Sequence, residues 1–158
     1  MNGRVTCRLV GDAPVAKRME LPMLQRDYIT EMTRRFVEAL TRRLRSALLD
    51  QDPEAIADLE QAIGELLDLD VTTALSLDAS SLVTMMELSG IADSLASYVC
   101  YALLRVADAY EARGDAALAA VRRGQATAVS GSFLCELGSV PAELRELDED
   151  IAAQLGER

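Results

Sequence analysis

Apolar side chains recur every three or four residues along most of this 158-residue chain, which is the spacing of one face of an α-helix. The pattern is clearest over 27–49, where one face collects Ile29, Met32, Phe36, Leu40, Leu44 and Leu48. Alanine and leucine are abundant, tryptophan is absent, and runs of β-branched residues are few. Such a sequence favours helices and argues against a β-sandwich or a β-barrel.

Capping and turn residues divide this pattern into separate helices. Asp52 and Pro53 are typical of a helix start, and Gly90 and Gly114 are typical of helix ends. We predict helices over 27–49, 53–69, 79–89, 91–113, 116–137 and about 141–155, with a loop or a broken turn at 70–78. Because the connections are short, consecutive helices are expected to pair as antiparallel hairpins. The predicted fold class is therefore all-α, with about five or six helices.

Two glycines, Gly124 and Gly131, interrupt the helix predicted over 116–137. Each costs roughly 1 kcal/mol relative to alanine in a helix interior. We therefore expect either that the helix bends there or that a neighbour packs close to it.

The first 22 residues do not share the helical periodicity and contain two glycines and two prolines. We predict that 1–22 is a mobile or loosely attached extension and that 23–158 is a single helical domain. The extension has no apolar segment typical of a signal peptide. Nowhere does the chain approach the ~18 consecutive apolar residues of a transmembrane helix. We therefore expect a cytoplasmic protein that does not contact the membrane.

The chain contains no histidine, which excludes Ser-His catalysis and histidine-ligated metals. Its cysteines, Cys7, Cys100 and Cys135, are far apart and form no C-x-x-C pair typical of zinc sites, so we expect them to be reduced. Cys100 and Cys135 lie in apolar helical stretches and are expected to be buried. Whether Cys100 and Cys135 form a redox pair depends on a geometry that their spacing does not give. The acidic run at 148–150 lacks the alternation of a calcium loop and is predicted to be a solvated face. We predict no catalytic residue, no metal site and no cofactor.

Charge is distributed unevenly along the chain, whose formal net charge is −10. Residues 1–50 carry 10 basic and 6 acidic side chains, whereas 51–158 carry 6 basic and 20 acidic ones. The acidic body repels nucleic acids and anionic membranes. The basic face of the first predicted helix consists of Arg34, Arg35, Arg42, Arg43 and Arg45. Glutamates one turn before two of these arginines indicate a self-paired, solvated surface, so nucleic-acid contact through this face is kept only as an alternative function.

Residues 103–129 resemble a tetratricopeptide repeat, a two-helix hairpin that stacks on its neighbours. The positions that carry the resemblance are Leu103, Ala107, Tyr110, Gly114, Ala119 and Ala126. Arg123 departs from the family pattern, which has a large aromatic residue there. A weaker likeness covers 52–63, and LQRDYITEM at 24–32 resembles the opening of an uncharacterised bacterial family of tetratricopeptide-like proteins. The resemblance implies a right-handed array of antiparallel hairpins and supplies no catalytic activity.

The same resemblance implies a binding groove, because the first helix of such a hairpin lines a concave surface that holds a peptide or a partner helix. The positions turned outward in this register are Tyr101, Leu104, Arg105, Asp108 and Glu111. We therefore predict a non-catalytic module that binds a protein or peptide, or associates with itself as a homodimer. The last helix is expected to cap one end of the array. A small-molecule binder or enzyme with a carboxylate pocket between helices is the other alternative.

Overall fold

A computed structural model describes the backbone of residues 3–90 and 93–157 and the side chains of 26–90 and 93–157. Within these ranges the protein is all-α and contains no strand, which confirms the predicted fold class. The elements are α1 (Gly3–Leu49), α2 (Pro53–Leu66), α3 (Val71–Ser76), α4 (Ala79–Leu88), α5 (Asp93–Ala112), α6 (Ala116–Ser132), a 3-10 turn (Ala142–Leu144) and α7 (Arg145–Gly156). No helix in the described part of the chain combines the length and the apolar composition needed to cross a membrane.

The chain divides into two compact units, Met1–Arg34 and Arg35–Arg158. The first unit contains the N-terminal part of α1, in which Glu31 and Arg34 form an ion pair at 2.8 Å. The second unit contains the rest of α1 and all the other helices.

The start of α1 differs from the prediction, because the helix begins at Gly3 rather than near Asp27. Helical hydrogen bonds form within the segment itself and do not require the apolar face that the sequence pattern detects. The division into an extension at 1–22 and a domain at 23–158 stays a prediction.

In the second unit, α5 lies at the centre of the core and packs against α6 and α2. Around this centre, α4 packs against α6, and α3 packs against α2. The largest fully buried apolar side chains are Leu40, Leu44, Leu59, Ile63, Leu82, Met86, Val99, Leu103, Val106, Val129 and Leu144. Leu40 and Leu44 belong to the apolar face predicted over 27–49, so the periodicity identified the core side of this helix.

The connection between α5 and α6 makes them an antiparallel hairpin. Near the end of α5, Asp108 meets Arg123 on α6 at 3.3 Å, while earlier on α5 the Cys100 thiol meets the carbonyl of Ala126 at 3.5 Å. Gly114 lies in the turn with a φ of +84°, a left-handed conformation that glycine adopts without strain. The hairpin therefore has the connectivity predicted for 91–137, while the right-handed tetratricopeptide-like array stays a prediction.

The segment 70–78 contains the helix α3, so the prediction of a loop or a broken turn there is wrong. Asp70 caps α3, because its carboxylate accepts a hydrogen bond from the backbone N–H of Thr73 at 3.1 Å. A Cβ atom at Gly64 would lie 3.0 Å from Val71 Cα, so α3 lies close against the backbone of α2. With only 6 residues, α3 is too short for apolar periodicity to reveal it.

The C-terminal end of α6 also differs from the prediction, because the helix ends at Ser132 rather than at 137. Leu134 has a φ of +53°, which takes the backbone out of the helix. The Ser130 hydroxyl then donates a hydrogen bond to the Cys135 carbonyl at 2.6 Å and holds the turn. The apolar residues of this turn extend the helical pattern, which is why the sequence predicted a longer helix.

Candidate functional site

The residues predicted to line a binding groove lie on α5, and a side chain of α7 covers part of that face. Tyr101 is only 2% exposed, and its hydroxyl donates to the Asp148 carboxylate at 2.7 Å. Arg105 pairs with the same carboxylate at 3.0 Å, and its guanidinium lies 5.3 Å from the centre of the Tyr101 ring. The last helix therefore contributes an acidic side chain between these two predicted groove residues.

The two acidic residues of the predicted groove pair with arginines of α6 or of their own helix. Asp108 accepts hydrogen bonds from Arg105 at 3.0 Å and from Arg123 at 3.3 Å, and Glu111 also pairs with Arg123. Leu104 is half-buried, and the Nε of Arg105 is buried without a hydrogen-bond partner. Asp108 and Glu111 thus join α5 to α6, and the assignment of this face to partner binding stays a prediction.

The predicted basic face is partly neutralised by carboxylates. Its ion pairs include Arg34 with Glu31 at 2.8 Å, Arg43 with Asp58, and Arg45 with Asp150 at 3.4 Å. Arg35 and Arg42 are exposed. Arg42 and Arg43 also line a cleft of about 440 Å³ between α1 and α2, together with Asp58 and Glu65. Acidic residues therefore accompany the arginines in the second unit, and nucleic-acid contact stays an alternative.

A buried polar cluster, not anticipated from the sequence, joins α2, α3, α5 and α6. Glu60 accepts hydrogen bonds from the Arg122 Nε and NH2 atoms at 3.0 and 2.9 Å and from the Tyr110 hydroxyl at 2.9 Å. Arg122 and Gln125 also donate to the Leu75 carbonyl, at 2.9 and 3.3 Å. Burial, together with the Glu60 carboxylate, raises the pKa of Tyr110 to about 12. The cluster therefore holds four helices in one arrangement.

One signal for this cluster was present in the sequence. Arg122 lies three residues after Ala119 and four before Ala126, and both alanines are buried in the core. The arginine therefore falls on the apolar stripe of α6, where a charge requires a partner. The spacing of residues along the chain does not indicate that Glu60 is this partner.

An open cleft of about 600 Å³ lies between α2, α3 and α6. Its apolar lining includes Ala57, Val71, Leu75, Leu118 and Val121, and its polar lining includes Glu60, Gln61, Thr72, Ser76 and Arg122. Leu118 is 36% exposed and Val121 is 48% exposed. The Glu60 carboxylate in this cleft is already paired with Arg122, whereas Leu118 and Val121 face the solvent.

The outward face of α6 carries no charge. Arg122 and Arg123 are the charged residues of this helix, and both pair with acids of α2 or α5. Its exposed residues are Ala116, Ala117, Leu118, Ala120, Val121, Gly124, Thr127, Gly131 and Ser132. We call this set the α6 face, and Leu118 and Val121 make it continuous with the cleft.

Comparison with known proteins adds no family. No family model, curated protein or solved structure matches this chain. Among the described residues there is also no group of three or more Cys, Asp or Glu side chains suited to holding a metal ion.

Proposed function

We propose that this protein is a non-catalytic helical module that associates with a second copy of itself through the α6 face. The observation that carries the proposal is the lack of charge on this exposed surface. A helix at the surface of a globular protein ordinarily turns polar and charged residues to the solvent. Here 27% of the chain is charged, yet α6 exposes alanine, glycine, leucine and valine.

The two arginines of α6 do not alter this conclusion. The Arg122 side chain is only 8% exposed and pairs with Glu60 at 2.9 Å. Arg123 bends toward α5, where it pairs with Asp108 and Glu111. Both positive charges are therefore paired with acidic side chains of the same chain, Arg122 in the interior and Arg123 at the surface.

The glycines of the α6 face support a close approach by another helix. A Cβ atom at Gly124 or Gly131 would meet nothing within 4 Å in the described structure. Gly124, in the middle of α6, nevertheless costs about 1 kcal/mol relative to alanine in a helix interior. A helix from a second copy accounts for both glycines, because the missing side chains let two backbones come into contact.

The placement of small residues along α6 suits a two-fold axis. Gly124 lies midway between Ala116 and Ser132, the ends of the helix. If two α6 helices cross antiparallel at this glycine, Ala117 lies opposite the partner's Gly131. By symmetry, Gly131 then lies opposite the partner's Ala117. Each small residue therefore faces another small residue, as the self-complementarity of a two-fold interface requires.

Electrostatics also favours this surface over the rest of the molecule. Each copy carries a formal net charge of −10, so most approaches of one copy to another are opposed by repulsion. The α6 face lacks charge and adds the exposed side chains of Leu118 and Val121. Removing apolar area from water contributes roughly 25 cal/mol per Å².

The resemblance to tetratricopeptide repeats supports the same proposal. The α5–α6 hairpin buries Ala107, Ala119 and Ala126, which are among the positions that carry the resemblance. Arrays of such hairpins leave a terminal helix face that another element has to cover. In this protein we assign that role to the second copy.

The test is the molar mass in solution, measured by sedimentation equilibrium over a range of concentrations. We expect the wild-type chain to reach twice its 17.1 kDa. The Ala120→Glu variant places a charge at the α6 face and is expected to have the mass of a single chain. Circular dichroism checks that the variant keeps its helices.

Ala152→Glu is the matched control, because Ala152 is also an exposed alanine in a helix but lies on α7. It is expected to keep the mass of a dimer. A wild-type protein that stays a single chain at every concentration would overturn self-association. So would an Ala120→Glu variant with the same mass as Ala152→Glu.

A further inference from the structure

Two cysteines that are distant in the sequence lie side by side where α6 ends. The Cys100 thiol, on α5, donates to the carbonyl of Ala126 on α6 at 3.5 Å. The Cys135 carbonyl accepts a hydrogen bond at 2.6 Å from Ser130, which is one helical turn beyond Ala126. Cys135 is also one of the groups that raise the pKa of the Cys100 thiol, so the two side chains are neighbours there.

The two thiols differ in their access to solvent. Cys100 is 2% exposed and Cys135 is half-buried. Burial, with a smaller contribution from Cys135, raises the pKa of the Cys100 thiol to about 12. A reagent in solution therefore reaches Cys135 first, while Cys100 reacts only with a group delivered beside it.

We propose that Cys135 and Cys100 form an oxidisable dithiol, which a low-molecular-weight disulfide converts into an intrachain disulfide bond. The Cys135 thiolate attacks one sulfur of the small disulfide, forms a mixed disulfide and releases the first small thiolate. The Cys100 thiolate then attacks Cys135 Sγ, which forms the Cys100–Cys135 bond and releases the second small thiolate. The protein loses two electrons and two protons, and the small disulfide gains them as two thiols.

The turn after α6 provides the movement that bond formation requires, since a disulfide brings the two Cβ atoms within about 3.5–4.5 Å. Cys135 lies outside the helix, directly after Leu134, whose side chain is 93% exposed and whose φ is +53°. This part of the turn is not helical, and the Leu134 side chain does not pack against the core. The product ties the turn covalently to α5, whereas in the reduced protein the Ser130 hydroxyl holds the Cys135 carbonyl.

The experiment uses the full chain carrying Cys7→Ser, incubated with oxidised glutathione and then with iodoacetamide. Intact-mass analysis is expected to show loss of the two thiol hydrogens, no bound glutathione and no alkylation. Peptide mapping should then join the peptides that contain Cys100 and Cys135. Two free thiols after this treatment, or a wild-type pair that stops at bound glutathione, would overturn the proposal.

Two single variants test the order of the steps. With Cys100→Ala, the protein is expected to retain one glutathione on Cys135, because no second thiol can displace it. With Cys135→Ser, Cys100 is expected to stay a free thiol and to become alkylated only after unfolding. The Cys135→Ser variant changes a half-buried turn rather than the core, so it tests the proposal even if Cys100→Ala perturbs folding. Glutathione attached to Cys100 in this variant would contradict the assigned order.

Discussion

Arg122 and Arg123 are neighbours in the sequence but have opposite environments. Arg122 is buried and donates to the Glu60 carboxylate, the Leu75 carbonyl and the Gln125 side chain. The Arg123 side chain is 40% exposed and forms its ion pairs at the surface. The pair therefore offers a matched comparison of a buried and an exposed arginine on one helix.

We expect Arg122→Ala to lower the free energy of unfolding by about 3–5 kcal/mol, because it leaves Glu60 largely buried without its countercharge. Arg123→Ala is expected to cost less than about 1 kcal/mol, since solvent screens exposed pairs. Urea unfolding of both variants, measured at low protein concentration, gives the two values. Equal losses would contradict a structural role for the buried cluster.

The tyrosine hydroxyls are a second feature at the residue scale. Tyr98 donates to both oxygens of Glu143 at 2.8 Å. Burial, followed by the Glu143 carboxylate, raises the pKa of Tyr98 from 10.0 to about 12. The folded protein therefore keeps this proton up to a higher pH than the unfolded chain does. The resulting stabilisation is complete below pH 10 and is lost as the pH rises toward 12.

We expect the free energy of unfolding to fall as the pH rises above 10, and to fall less steeply in the Tyr98→Phe variant. Phenylalanine keeps the ring that meets Phe36 edge-on at 6.2 Å, so the comparison isolates the hydroxyl. Urea unfolding at a series of alkaline pH values measures the slope. The same slope in both proteins would show that Tyr98 is not a source of the pH dependence.

At the scale of the elements, the length of a helix decided whether the sequence could predict it. The α5 helix has 20 residues, and its apolar stripe identified it. The α3 helix has 6 residues and exists because Asp70 caps it and Gly64 lets it lie close to α2. The close approach of α3 to α2 depends on Gly64, which lies outside 70–78, so the sequence pattern within 70–78 does not reveal it.

Replacing a helical glycine by alanine is expected to have opposite effects on the free energy of unfolding at Gly124 and at Gly64. A Cβ at Gly124 would enter open space, so Gly124→Ala is expected to raise the free energy of unfolding of the single chain by about 1 kcal/mol. A Cβ at Gly64 would lie 3.0 Å from Val71 Cα, so Gly64→Ala is expected to destabilise the fold. Thermal or urea unfolding at low concentration measures both. A loss of stability in Gly124→Ala would show that this face is not open in the single chain.

At the scale of the whole molecule, arginines of the predicted basic face form ion pairs with carboxylates of the predicted acidic body. Arg43 pairs with Asp58 on α2, and Arg45 pairs with Asp150 on α7 at 3.4 Å. The exposed residues of the α6 face, by contrast, carry no charge. This difference moves the proposed interface from α5 to α6.

The sequence by itself determined the all-α class, the core sides of the long helices and the turn at Gly114, because these depend on interactions within a few residues of each other. Only the tertiary structure decided which of two adjacent arginines is buried and which two cysteines meet. It also decided that Asp148 of α7 lies against α5. Each of these contacts joins distant parts of the chain, and no spacing within one segment encodes which distant residue will be the partner.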